Sequence, residues 1–376
     1  MKQTIGELVQ AQRAAVGLNL DQVAEQAHVP FETLKSFEEG RGKITAAALE
    51  RIAYVLAIDA DALREGRIER TPIASLFFRQ GAYPDFRDED RPKVVTVFER
   101  ARALLEVNAT LGRLAGLRSQ FSPEAPKPEA AKDGYRLANQ VRTALGNETE
   151  PLPDMVTLLE DRFDILVRME PLASARIEAL SLHEPQTGAA AALLNATGKR
   201  RSNPLTARVD LAHELGHILF DPPDRENPLV IDVETDEGRS ISHAEQRARA
   251  FAAELLMPAE GLRRLLGRPR YEMSTPQALA LVERVRREFR TPIEITVNHL
   301  FWREYIVDWL RQELIEQARR AEPSPGIETT GAPVVPARDV LERRVVEALR
   351  RDLISDGRAR ELLQLSAWDE LPTLEA

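Results

Sequence analysis

NPLTARVDLAHELGHILFDPP (203–223) is the stretch on which the reading of this chain turns. Asn203 offers a capping side chain and Pro204 suits a first helical turn, so the segment predicts a helix running to Asp221 and stopped by Pro222-Pro223. Residues four apart on a helix share a face, so His213 and His217 can aim imidazole nitrogens at one point. Val209, Ala212, Gly216 and Leu219 add an apolar stripe, which makes the helix half-buried. Gly216 costs a mid-helix position about 1 kcal/mol relative to alanine. Close approach of another backbone, expected here from a strand layer, would account for it.

The chain holds only six histidines: His28, His183, His213, His217, His243 and His299. With so few, two of them around a glutamate at this spacing arise by chance in roughly one such chain in a hundred. The pattern is His-Glu-x-x-His, in which the two imidazoles hold a metal and Glu214 reaches a metal-bound water without ligating the ion. A hydrolytic site of this kind needs a third protein ligand and an open fourth position. A helix predicted over 242–257, ended before Pro258, offers Glu245, Glu254 and His243. At about 100° per residue, Glu245 shares the apolar face of Ala248, Ala252 and Leu255. Glu254 lies about 180° away and is expected to face solvent, and His243 lies about 200° from Glu245. The geometry selects Glu245.

Two further features frame the motif helix. Helices are expected near 134–146 and 154–162, followed by three β-like runs, ILVRME (165–170), IEALSLHE (177–184) and AAALLNA (190–196). After it come a polar, acidic loop (224–240) and helices over 276–289 and 293–318. The fold class expected is α+β and mostly helical.

AHELGH (212–217), followed by E-x-x-A-x-x-F-A-A-E-L-L-M-P (245–258), resembles the ImmA/IrrE family of metallopeptidases. The resemblance covers roughly 133–310 and implies a compact, gluzincin-like zincin domain with a small sheet. It implies His213, His217 and Glu245 as ligands of one Zn2+, with Mn2+ or Fe2+ also suited to such a donor set, and Glu214 as general base. It implies an endopeptidase that cuts an XRE-family repressor and so switches on stress or mobile-element genes. Family members often carry Glu-x-Glu-Ala-Asn where this chain has Glu245-Gln246-Arg247-Ala248-Arg249, and a histidine where it has Asp221, a difference read as minor. Arg208 matches a basic position common upstream of the motif. For the oxyanion of the reaction, His183 and Tyr271 are the candidate donors.

At the other end, GLNLDQVAEQAHVPFETLKSFEEGR (17–41) resembles the helix-turn-helix of XRE/Cro-type regulators. Leu18, Val23, Ala24, Val29, Leu34 and Phe37 fall on core positions, and the resemblance places Glu32, Thr33, Lys35 and Ser36 toward a major groove. Residues 1–66 carry seven basic and ten acidic side chains, a poor balance for phosphate binding. A helical module for dimerisation or partner docking is the other reading.

The 376 residues carry a net charge of −9, which argues against whole-chain attraction to DNA or anionic lipid. The absence of cysteine excludes disulfides, thiolate zinc fingers, iron–sulfur clusters and cysteine nucleophiles. No run of about 18 apolar residues suggests a membrane span, and the amphipathic first residues lack a secretory h-region, so a cytoplasmic protein is expected. The divisions expected are a helix-turn-helix domain (1–67), a helical connector (71–121), a Pro-rich linker SPEAPKPEA (122–130), a metallopeptidase domain (133–318), a second linker (321–337) and a helical tail (338–376) that could serve as a docking arm. A transcription regulator whose metal domain senses a signal or binds a partner without cutting, and which could act as a homodimer, is the competing function. An intact Glu214 favours catalysis, because a sensor needs ligands but no base.

Overall fold

The computed structural model describes residues 4–15, 18–56, 58–68, 88–113, 115–184, 188–221, 229–233, 242–269, 273–320, 339–366 and 369–372. The protein is α+β and mostly helical, and its described residues form two units that divide between Pro84 and Asp85. No helix among the described residues is long and apolar enough to cross a membrane.

The first unit is built from α1 (Ile5–Ala15), α2 (Leu20–Gln26), α3 (Phe31–Glu38), α4 (Ala46–Leu56) and α5 (Ala60–Arg64). Asn19 caps α2 in a reciprocal box with Gln22, as its side-chain chemistry favours. Val9, Val23, Ala27, Leu34, Ile52, Leu56 and Leu63 form the core. Arg13 of α1 grips Glu38 of α3 through two hydrogen bonds of 2.8 Å.

The second unit opens with α6 (Arg91–Thr110), then α7 (Ala130–Leu145) and α8 (Met155–Phe163). Strands β1 (Leu166–Glu170), β2 (Ile177–His183) and β3 (Ala190–Asn195) follow, then the motif helix α9 (Pro204–Phe220) and β4 (Leu229–Val233). The sheet order is β1-β3-β2-β4, with β1 parallel to β3 and the other pairs antiparallel. Strand β4 lies inside the segment read as a polar loop; its five residues, LVIDV, are too few to declare a period. Helix α6 packs on β1 and β3, whereas α9 packs on β2 and β3. Ala179 and Leu194 belong to the core beneath α9, while the alternating set Leu180, Leu182 and Leu193 is buried as well. Both faces of β2 are therefore covered, which is why its alternation reads only loosely in sequence.

Helices α10 (His243–Leu256), α11 (Ala259–Leu266), α12 (Thr275–Phe289), α13 (Ile293–Trp302) and α14 (Asp308–Arg320) complete the core. The single helix expected over 293–318 is two, because Glu304 takes φ 62° and the chain turns after Arg303. Helix α11 follows Pro258 directly; the proline that ends one helix serves as the cap of the next.

The C-terminal pair α15 (Val340–Arg350) and α16 (Asp356–Leu363) folds back onto α6, so these residues are not a free arm. Buried Asp339 binds Arg100 at 2.6 Å and Arg168 at 3.2 Å, and Arg343 binds buried Glu160 at 3.0 Å. The stretch 122–130 does not behave as a loose linker either. The Glu124 N–H donates to Phe220 O at 2.9 Å, and Lys127 pairs with Asp133 at 3.0 Å. The second linker, 321–337, lies outside the described residues.

Helices α7, α9 and α10 meet through their smallest residues. A Cβ on Gly134 would lie 2.3 Å from Arg247 O and 2.8 Å from Phe251 N. One on Gly216 would lie 2.9 Å from the Phe251 ring. The close neighbour that Gly216 accommodates is thus α10, not the strand layer expected, because α10 crosses the motif helix on that face. Gly134→Ala gains about 1 kcal/mol of helix propensity yet forces two backbones apart, so a net loss of about 1–3 kcal/mol is expected, read from urea unfolding midpoints. Burial, opposed by Arg343, pushes Glu160 up to about 7 from 4.5. A raised carboxyl favours folding while protonated, so its contribution is full below about 4.5 and is lost as pH rises through about 7. Glu160→Gln, which cannot ionise, is expected to flatten that part of the stability–pH profile measured by thermal melting.

Candidate metal centre

The centre starts from capping chemistry. Asn203 accepts from Leu205 N–H at 2.9 Å and fixes the start of α9, so the phase of His213, Glu214 and His217 is set ten residues before them. All three are buried, at 5%, 0% and 2% exposure. The imidazole Nε2 atoms of His213 and His217 lie 2.9 Å apart with the rings inclined at 71°.

Glu245 arrives from α10. Ser242 caps that helix by accepting from Glu245 N–H at 3.1 Å. Its carboxylate lies 3.4 Å from His213 Nε2 through one oxygen and 3.4 Å from His217 Nε2 through the other. One donor atom from each of the three lies within 4.8 Å of the rest, and among the described residues this is the one such group of histidine and carboxylate side chains. A tetrahedral ion with ligands about 2.0–2.2 Å away separates them by roughly 3.3–3.6 Å. The two carboxylate distances match that spacing, and the imidazole pair is a few tenths of an ångström inside it. The donor set of two imidazoles and one carboxylate fits Zn2+, and the residues that could hold it are His213, His217 and Glu245.

Electrostatics support the grouping. Burial works to raise the Glu245 carboxyl, but hydrogen bonds and charge from His213 and His217 hold it far below the usual carboxylate range. His217 is raised well above the ordinary imidazole value. Burial opposes this, and hydrogen bonds to Asp221 and Glu245 overcome it. Imidazole nitrogens facing a carboxylate in a buried site are the donor pattern that a divalent ion would bind.

Asp221, treated as a minor difference in the sequence, sits on this centre: its Oδ2 accepts from His217 Nδ1 at 2.7 Å. Arg247, on the second motif, donates to Asp221 Oδ1 at 2.5 Å and is itself 2% exposed. The signal available for Asp221 was its i,i+4 spacing from His217. Nothing local marks Arg247 as buried.

Glu254 corrects the expectation that it faces solvent: its exposure is 0%. Helix α10 is covered by α7, α9 and α13, so it has no wet face there. The Glu254 carboxylate accepts from Ala259 N–H at 3.1 Å and from Arg303 Nε at 3.0 Å, and lies 3.3 Å from His299 Nε2. It caps α11 and stands outside the three-residue group. His243 is exposed and also stands outside it. Arg208 donates to the Leu152 and Pro153 carbonyls at 2.8 and 2.7 Å and so ties α9 to the chain before α8.

His183 ends β2 on the sheet face that carries Ala179 and pairs in register with Ala190. Burial and then Arg118 push it down to about 4, with Glu184 acting the other way. It is not one of the three clustered donors. Tyr271 lies outside the described residues. On α3 of the first unit, Glu32 and Thr33 are exposed and Lys35 and Ser36 half-buried.

Taken together, the helix-borne His-Glu-x-x-His and a carboxylate delivered by a second helix define a metallopeptidase-type domain. Residues 160–301 match the family model Peptidase_M78, the IrrE N-terminal-like domain. The match takes in both motifs and the sheet, and leaves α6, α7 and the last three helices outside it. No curated protein matches the chain.

Native mass spectrometry of the purified chain is expected to show one divalent ion per molecule. His213→Ala or Glu245→Ala is expected to bring that stoichiometry well below one.

Proposed function

We propose that the protein is a zinc-dependent endopeptidase whose substrate is an XRE-family DNA-binding repressor, cut to switch on stress or mobile-element genes. The reading is carried by the convergence of His213, His217 and Glu245 beside a buried Glu214. Zn2+, when bound, supplies a lowered water pKa near 7 and a polarised scissile carbonyl. Glu214 takes the proton of the attacking water and passes it to the leaving amine. His183 and Tyr271 remain the proposed oxyanion donors. With its pKa near 4, His183 is neutral at pH 7 and can donate one N–H. The substrate class comes from the likeness of both motifs to the ImmA/IrrE family.

The first unit favours no strong non-specific grip on DNA. Of its few cations, Arg13 is engaged with Glu38, Arg51 with Ala27 O, and Arg64 with Glu50 and Asp61. Its α2–α3 pair is proposed to recognise either DNA, through Glu32, Thr33, Lys35 and Ser36, or the helical repressor itself. A soluble cytoplasmic setting follows from both.

The competing function, a metal-sensing regulator that does not cut, is separated by one experiment. The chain is incubated with the XRE-type regulator encoded beside it, with and without chelator, and the products are weighed by mass spectrometry. Cleavage that needs metal is expected. Glu214→Gln is expected to retain zinc while cleavage falls by about 10²–10⁴-fold. A Glu214→Gln protein that cuts as fast as wild type would overturn the mechanism.

A further inference from the structure

We infer that Asp221 is a positioning residue for the His217 imidazole, and that Arg247 holds it in that role; the inference rests on the metallopeptidase reading of His213, His217 and Glu245.

Asp221 is the C-cap of α9, with extended backbone at φ −74°, ψ 127°. A carboxylate at the negative end of a helix dipole is locally disfavoured. Helix chemistry alone therefore gives no reason for an aspartate there. Its side chain folds back one turn, and Oδ2 accepts from His217 Nδ1 at 2.7 Å. An ionised carboxylate only accepts, so Nδ1–H donates to it, and Nε2, facing His213 and Glu245, is the atom left to hold an ion. One hydrogen bond thus fixes both the tautomer and the ring orientation, and the negative charge strengthens Nε2 as a donor.

Arg247 makes this arrangement stable. Its guanidinium donates to Asp221 Oδ1 at 2.5 Å, to Phe220 O at 3.0 Å and to Glu124 O at 2.7 Å, with the Asp133 carboxylate 3.8 Å away. It neutralises the aspartate and satisfies one of the carbonyls left open at the end of α9. It stands two residues after Glu245 on α10, so one helix delivers both the carboxylate donor and the brace of an imidazole on another helix. A salt link reaching the second turn of the same helix ties the orientation of His217 to the position of Glu245.

The test measures Zn2+ affinity of the full chain by competition with a chromophoric chelator, together with the visible absorption of the Co2+-loaded protein. Asp221→Ala is expected to bind Zn2+ about 10–100-fold more weakly and to alter the Co2+ band. Asp221→Asn, isosteric and still able to accept from Nδ1–H, is expected to fall between, and it decides the matter if the alanine variant does not fold. Should both variants bind Zn2+ as tightly as wild type while melting at lower temperature, Asp221 is only a cap and the inference fails. If wild type binds Zn2+ and His213→Ala does not, that failure leaves the metallopeptidase reading standing. A wild-type chain that takes up no Zn2+ overturns both.

Discussion

The approach of α10 to α9 at Gly216 is the constraint on which the second unit depends. The Phe251 ring lies where a Cβ of residue 216 would have to sit, and Gly134 admits the backbone of α10 from the other side. Both contacts bring helices nearer than ordinary side chains allow. Only at that separation does a carboxylate from the first turn of α10 stand 3.4 Å from two imidazoles of α9. The candidate metal centre is thus a consequence of helix packing. Its three donors come from two helices that small residues hold together.

How much of this was legible in the sequence depended on where each signal resides. The motif helix carried its own cap, its own stop and a rare residue at helical spacing, so His213, Glu214 and His217 needed no tertiary information. Glu245 was reached from helical phase, since Ala248, Ala252 and Leu255 named the buried face. The same phase argument failed for Glu254, which assumed that a helix with one apolar face has one wet face. Helix α10 is enclosed on several sides, and its buried charges are satisfied by partners 45 and 49 residues on, His299 and Arg303. No local pattern encodes such a pairing. Strand β4 and the division of 293–318 were hidden for a different reason: five residues give too short a period, and a left-handed glutamate announces no turn.

Asp221 belongs to a third class, visible but undervalued. Its distance from His217 in sequence is one helical turn, which is enough to suggest contact. What the sequence does not show is the cation that makes a carboxylate tolerable at that helix end. The second motif carries Arg247 where the ImmA/IrrE pattern it resembles has glutamate, and the first carries Asp221 where that pattern has histidine. Read separately, each looks like erosion of a pattern. In space they form one ion pair of 2.5 Å, so the two departures meet at a single contact.

Buried guanidinium groups also explain why α10 stays in place without disulfides. Arg247 near its start closes the carbonyl end of α9 through Phe220 O. Arg142, from α7, closes the carbonyl end of α10 itself, donating to Leu255 O at 2.8 Å and reaching Glu150 O at 2.7 Å. Burial, the dominant effect, pulls Arg142 down to about 10, still far enough above neutrality for it to remain a cation. A dry cation is costly unless its donors are matched, and here main-chain carbonyls that helices leave open match them. The orphan groups of helix ends and the donors of buried arginines cancel one another. Both α9 and α10 are thereby pinned by their carbonyl ends, one behind His217 and the other behind Glu254. The donors His213, His217 and Glu245 project from helices whose carbonyl ends are tied down in this way, the kind of support that a metal centre assembled from separate helices requires.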